Sequence, residues 1–181
     1  AGFALYGPST MLILTTGNGV NGFTLDRGSG DFVLTHPDMK VQVEAKDFTI
    51  NMSNKRYWTP PIQRYIDELV EEGEKHRGLH FNMRWMGSMV ADVYRLLISG
   101  GIFLYPWDSK VAGRPGKLRL LYEVNPISFL IEQAGGVSTT GTDRTMEIMP
   151  ESLHQRSPAI LGSKNEVERV ISYHLEQVGR S

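Results

Sequence analysis

Short apolar and β-branched runs broken by glycine-rich turns open the chain. Thr10 to Thr16, Val20 to Asp26 and Asp31 to Thr35 are separated by Gly17-Asn18-Gly19 and Gly28-Ser29-Gly30. Turn residues at that spacing predict antiparallel hairpins. Val41-Gln42-Val43 and Phe48-Thr49-Ile50 add two further strands. The period then changes to that of helices. Pro60-Pro61 opens one carrying Ile62, Tyr65, Ile66, Leu69 and Val70, ended by Gly73. Met86, Met89, Val90, Val93, Tyr94 and Leu97 form a second stripe, stopped by Gly100-Gly101. Asn125-Pro126 starts a third through Ile131, closed by Gly135-Gly136. Ser163-Lys164-Asn165-Glu166 reads as a capping box for a fourth, with Val167, Val170, Ile171, His174, Leu175 and Val178 on its stripe. Ile102 to Tyr105, Val137 to Thr140 and Ala159 to Leu161 lie between as strands. A meander followed by alternating strands and helices predicts an α/β fold, a mixed β-sheet flanked by helices. The polar stretches Glu71 to His80 and Asp108 to Gly116 read as mobile loops.

Composition narrows the partners. The chain has 181 residues, 40% hydrophobic, enough for one substantial core. A net charge of −1 with scattered cations and no basic stripe argues against nucleic acid. No apolar run approaches the ~20 residues of a membrane span, and no signal-peptide pattern opens the chain. There is no cysteine, so disulfides and thiolate chemistry are excluded, and a reducing cytoplasm is compatible. Five histidines offer no convincing metal site: His76 and His80 are four apart but interrupted by Gly78, and His154 and His174 read as structural or surface residues. Asp26-Arg27-Gly28-Ser29 supplies one carboxylate and reads as a turn.

The candidate chemistry lies in Lys117-Leu118-Arg119-Leu120-Leu121-Tyr122-Glu123, followed by Val124-Asn125-Pro126. In an extended strand Lys117 and Arg119 point the same way, about 7 Å apart. Asn125-Pro126 suits a helix start, with asparagine as the cap and proline at the first position. Two cations and an acid would then sit at the carboxyl end of a strand, where open α/β sheets hold ligands. Same-side cations suit a phosphate ester, and a carboxylate suits a hard metal ion. These residues alone leave open a solvated edge strand with an incidental ion pair.

Neighbouring motifs favour the first reading. Asn82-Met83-Arg84-Trp85-Met86-Gly87-Ser88-Met89-Val90-Ala91-Asp92 and Gly100-Gly101-Ile102-Phe103-Leu104-Tyr105-Pro106, taken with Lys117 to Pro126, resemble the sugar-bisphosphate site of class I fructose-1,6-bisphosphatases. The resemblance begins at Gly2-Phe3-Ala4-Leu5-Tyr6-Gly7. It runs on through Ala134-Gly135-Gly136, His154-Gln155-Arg156 and Ile160-Leu161-Gly162-Ser163.

That resemblance implies roles. Arg84 corresponds to an arginine that enters a neighbouring subunit's site and pairs with the sugar 6-phosphate. Asn54 and Tyr57, in an Asn-x-x-Tyr stretch, and Tyr105 correspond to further contacts with that phosphate. Lys117 and Arg119 correspond to the pair that holds the sugar and its phosphates. Gly87, Ser88 and Met89 correspond to a turn whose backbone approaches the sugar hydroxyls, and Glu123 to a ligand of catalytic magnesium. No catalytic residue is assigned here. Trp85 departs from the pattern, standing where a phosphate-binding tyrosine is expected; its indole N–H still donates one hydrogen bond.

By the same resemblance, residues 1–181 are the C-terminal sugar-bisphosphate-binding domain of a longer cytoplasmic enzyme of the sugar phosphatase superfamily. That enzyme would be a homotetramer acting in gluconeogenesis on fructose 1,6-bisphosphate and releasing fructose 6-phosphate. The N-terminal portion would be this domain's partner and carry the remaining Mg2+ ligands, so the 181 residues alone are expected to be inactive. Two rivals are a sedoheptulose-1,7-bisphosphatase and a non-catalytic sugar-phosphate-binding or assembly module.

Overall fold

The computed structural model describes residues 1–71, 78, 80–111, 113 and 115–179. Four strands open the chain: β1 (Gly2–Tyr6), β2 (Thr10–Leu14), β3 (Asn21–Leu25) and β4 (Phe32–His36). They pair antiparallel in sequence order, as the turn spacing predicts. The β3–β4 turn closes locally, with Asp26 Oδ1 accepting the Gly28 N–H at 2.9 Å.

A second, five-stranded sheet follows. Its members are β5 (Asp47–Thr49), β6 (Asn82–Met83), β7 (Ile102–Tyr105), β9 (Val137–Thr139) and β11 (Ala159–Gly162), in the order β6-β5-β7-β11-β9. β5 runs parallel to β6 and β7, and β11 antiparallel to β7 and β9, so the sheet is mixed. A separate two-stranded ribbon joins β8 (Leu118–Arg119) to β10 (Arg156–Ser157).

The helices are α1 (Pro60–Val70), α2 (Met89–Ser99), α3 (Asn125–Gln133) and α4 (Lys164–Val178). Alternation along β7 and β11 sorts the core into two layers. Ile102, Leu104 and Ile160 pack with Ile62, Tyr65 and Ile66 of α1 and Val167 and Val170 of α4. Phe103, Ala159 and Leu161 face the other way, towards α2, α3 and the apolar side of the meander at Phe3, Met11 and Ile13. The buried sheet thus carries helices on both faces.

Several local expectations change. Val41 to Val43 forms no strand; Val41 is buried, and its N–H bonds Ala134 O at 2.9 Å, which ties the segment to the end of α3. Ser163 and Glu166 stand where a capping box needs them, but their side chains serve tertiary partners. Ser163 Oγ accepts the Gly101 N–H at 3.0 Å, and Glu166 Oε2 accepts the Tyr65 hydroxyl at 2.7 Å. The strand expected from Lys117 onward ends at Arg119, and a π turn over Leu120–Val124 runs straight into α3. Asn125 therefore lies inside a continuous helical run, and its Oδ1 is buried without a partner among the described residues. Gly73, His76 and most of the 71–80 loop lie outside the described residues, as do 112 and 114 of the 108–116 loop.

Candidate functional site

β7 ends at Tyr105, and three other segments meet its side chain. Trp85, in the link from β6 to α2, packs with its ring 6.3 Å from that of Tyr105. Lys117, entering β8, brings Nζ to 5.7 Å from the Tyr105 ring centroid. On the third side a narrow crevice is lined by Tyr105 together with Asn51, Asn54, Trp58 and Asp108. A phenol, an indole and an ammonium thus share one corner, with amide side chains beside it.

The β8 segment is held in place by β10. Arg119 pairs with Arg156 across the ribbon, the Arg156 guanidinium donates to Lys117 O, and the Leu120 N–H bonds Gln155 O at 2.8 Å. Gly116 permits this approach, since a Cβ there would lie 2.2 Å from the Ser157 carbonyl carbon. Gln155, through its backbone, and Arg156, through strand pairing and its guanidinium, in this way clamp the cationic strand. His154 itself contacts Tyr122, with Nδ1 2.8 Å from the hydroxyl.

Arg119 and Glu123 engage one another. The Arg119 N–H donates to Glu123 Oε2 at 2.6 Å, and the guanidinium lies 3.7 Å from Oε1. The carboxylate thereby satisfies the start of the π turn. Lys117 makes no ion pair among the described residues, so its charge is available to an anion.

The link from β6 to α2 carries the other cation. Arg84 is half exposed, and its N–H bonds Phe48 O at 2.8 Å, continuing the β5–β6 pairing. Gly87 has φ +73°, which glycine adopts without strain, and the turn delivers Ser88 as the residue before α2. Ser88 makes no side-chain capping bond. Met89 starts the helix and packs on the core.

Beneath this link sits a buried charged cluster that the sequence reading missed. Arg95 donates to Asp47 Oδ2 at 2.5 Å and to Thr49 Oγ1 at 2.8 Å. Asp92 is fully buried on α2, and among the described residues neither carboxylate oxygen has a hydrogen-bond partner. Burial pushes its carboxyl above the usual range; the nearby Met86 N–H, Arg95 and Thr49 oppose this without overcoming it. A signal did exist: Asp92 lies three residues after Met89 and four before Leu96, on the stripe that enters the core.

One expected member stands apart from the corner. The Tyr57 ring lies against Arg56, with Cζ 4.9 Å from its centroid, and near Lys110, with Nζ at 5.7 Å; it does not line the crevice. Asn51, three residues earlier than Asn54, does line it, and its Oδ1 accepts the Ser53 N–H at 3.2 Å. As for a metal, Glu123 is one carboxylate already engaged by Arg119. Among the described residues no group of three or more His, Cys, Asp or Glu could hold an ion. These residues do not by themselves fit a resident magnesium. No helix among the described residues is long and apolar enough to cross a membrane.

Comparison with known proteins covers nearly the whole chain. The family model described as fructose-1-6-bisphosphatase, C-terminal domain, matches residues 41–175, and the N-terminal domain model matches residues 1–37. The chain is similar to crystal structures of Leishmania major fructose-1,6-bisphosphatase. The holo form is 41% identical with a TM-score of 0.89, covering 95% of this chain and 51% of that one. The apo form is also 41% identical with a TM-score of 0.89, at 95% and 53% coverage. The T-state form is 40% identical with a TM-score of 0.90, at 97% and 53%. The chain therefore spans about half the length of these relatives.

Proposed function

Because the chain belongs to the fructose-1,6-bisphosphatase family, we propose that it supplies the sugar- and phosphate-gripping part of a longer sugar-bisphosphate phosphatase. The reaction is hydrolysis of the 1-phosphate of fructose 1,6-bisphosphate, releasing fructose 6-phosphate and inorganic phosphate. The observation that supports it best is the corner at Tyr105, where Lys117 carries an ammonium with no carboxylate partner among the described residues, beside a phenol and an indole. That combination suits an anionic sugar ester: the cation meets phosphate, and the aromatic walls exclude water from one side.

In this reading Lys117 and Arg119 hold the sugar and its phosphates, and Tyr105 and Asn54 bond the 6-phosphate. The turn at Gly87, Ser88 and Met89 lets backbone approach the sugar hydroxyls. Arg84 meets the 6-phosphate of a neighbouring subunit, which makes the enzyme an oligomer, and a homotetramer by family resemblance. Gripping the 6-phosphate fixes the far end of the substrate, so binding energy there orients the 1-phosphate for attack by water. Glu123 would furnish one ligand to a magnesium ion whose other ligands lie outside these residues. The chemistry assigned to this chain is therefore binding and orientation. The enzyme would act in the cytoplasm, in gluconeogenesis.

Phosphate release by the full-length enzyme, with fructose 1,6-bisphosphate and sedoheptulose 1,7-bisphosphate as competing substrates, tests the proposal. The fructose ester should have the higher kcat/KM, and the 181 residues alone should release no phosphate. Binding of both esters without release by the full-length protein would make this a non-catalytic module. Preference for the sedoheptulose ester would direct attention to Trp85.

A further inference from the structure

The charged cluster beneath Arg84 joins one tight, mostly buried ion pair to a second, long and exposed one. Asp47 Oδ2 accepts from Arg95 at 2.5 Å and also lies 3.9 Å from Arg84 Nε. Arg95 is fixed a second time by Thr49, itself fully buried. Asp47 and Arg95 are each about one-fifth exposed, whereas the Arg84 side chain is 56% exposed. The first pair is the anchor. The second, long and exposed, contributes little to folding.

A guanidinium has two edges that can grip an oxyanion, one built from Nε and one Nη, the other from the two Nη groups. Asp47 approaches Arg84 at Nε, and among the described residues no partner engages the Nη edge. Arg95 offsets most but not all of the Asp47 charge, so the long contact can orient Arg84 while leaving most of its positive field for an incoming anion. Backbone pairing of Arg84 with Phe48, next to Asp47, fixes the base of the side chain as well.

We propose that Asp47 is a positioning residue: held by Arg95, it orients the Arg84 guanidinium so that its outer edge meets the substrate phosphate. This rests on the phosphatase reading above. Pre-orienting a long, exposed side chain lowers the entropy lost when it engages its ligand. The effect should appear in substrate binding and leave turnover nearly unchanged.

The test is a double-mutant cycle in the full-length enzyme, with KM and kcat for fructose 1,6-bisphosphate measured separately. Asp47→Asn keeps an acceptor for Arg95 and removes the charge that orients Arg84. It should raise KM about two- to fivefold with kcat nearly unchanged. In an Arg84→Ala background the same change should be silent, because the residue it acts through is gone. A merely structural role would persist in that background. Should Asp47→Asn fail to fold, Asp47→Asn/Arg95→Gln replaces both half-buried charges by amides and should give the same KM rise. An Asp47→Asn effect of equal size with and without Arg84, or no effect while Arg84→Ala raises KM, overturns the positioning role alone. No KM effect of Arg84→Ala, or no hydrolysis by the unaltered enzyme, overturns the underlying reading and this inference with it.

Discussion

Arg119 contacts Glu123 twice, through its backbone N–H at 2.6 Å and its guanidinium at 3.7 Å, so the acid of the cationic strand is engaged by the strand itself. Both side chains are about one-third or more exposed, and the ion pair contributes less than about 1 kcal/mol to stability. Glu123→Gln retains an acceptor for the N–H and removes the charge. Thermal unfolding should therefore be nearly unchanged. In the full-length enzyme turnover should fall steeply while fructose 6-phosphate still binds. Unchanged turnover would return Glu123 to a purely local role at the π turn.

Arg84→Ala in the full-length enzyme should weaken substrate binding by roughly 1.5–3 kcal/mol, the scale of a hydrogen bond to a charged group. KM should rise more than kcat falls, since that contact exists before and during reaction. Oligomers mixed from Arg84→Ala and Glu123→Gln subunits should recover activity if Arg84 serves a neighbour's site. With subunit exchange verified independently, failure to recover would confine Arg84 to its own subunit.

Asp92 gives a pH dependence of definite sign. Its carboxyl is raised by burial, so it favours the fold below the unfolded value of about 3.9 and loses that contribution as pH rises through the folded value. Asp92→Asn removes the titration. Relative to the unaltered protein, the variant should gain stability between about pH 4 and neutrality, measured by urea unfolding at both. Parallel stability at the two pH values would mean that the carboxyl is better solvated than its surroundings indicate.

Gly162→Ala should be among the most damaging single changes. Gly162 has φ +137°, and a Cβ there would lie 2.2 Å from Gly101 O, against backbone that cannot give way. Lost β7–β11 packing and backbone strain should together cost at least about 3 kcal/mol. Soluble yield and denaturant midpoint are the readouts. A variant of ordinary stability would show that the two glycines do not meet as described.

The elements legible in the sequence are those with a periodic apolar stripe. α1, α2 and α4 begin or end within a few residues of where proline, glycine and the stripe put them, and the apolar runs of β7 and β11 are plain. β6 and β10 have two residues each and no pattern of their own; they exist because β5 and β8 present backbone to them. Local rules failed where a tertiary or side-chain partner competed. Gly101 and Tyr65 took the capping-box side chains, and Glu123 bonded the Arg119 N–H and turned the chain before a longer strand could form. In the candidate site the cations and the glycine turn were legible by type and order. Asp47 and Arg95 were not, because 48 residues separate them and they meet only when α2 packs beside β5.

The placement of β7 sets the order in which this molecule can be assembled. It pairs on one side with β5 and on the other with β11, which arrives near the end of the chain. β10, just before β11, closes on β8, so the cationic strand too awaits late residues. During synthesis β7 emerges with one edge unpaired and stays so until residues beyond 150 have been made. Such distant pairing slows folding and leaves an aggregation-prone edge exposed meanwhile. The corner at Tyr105 should therefore form late, with little local structure at Lys117 beforehand.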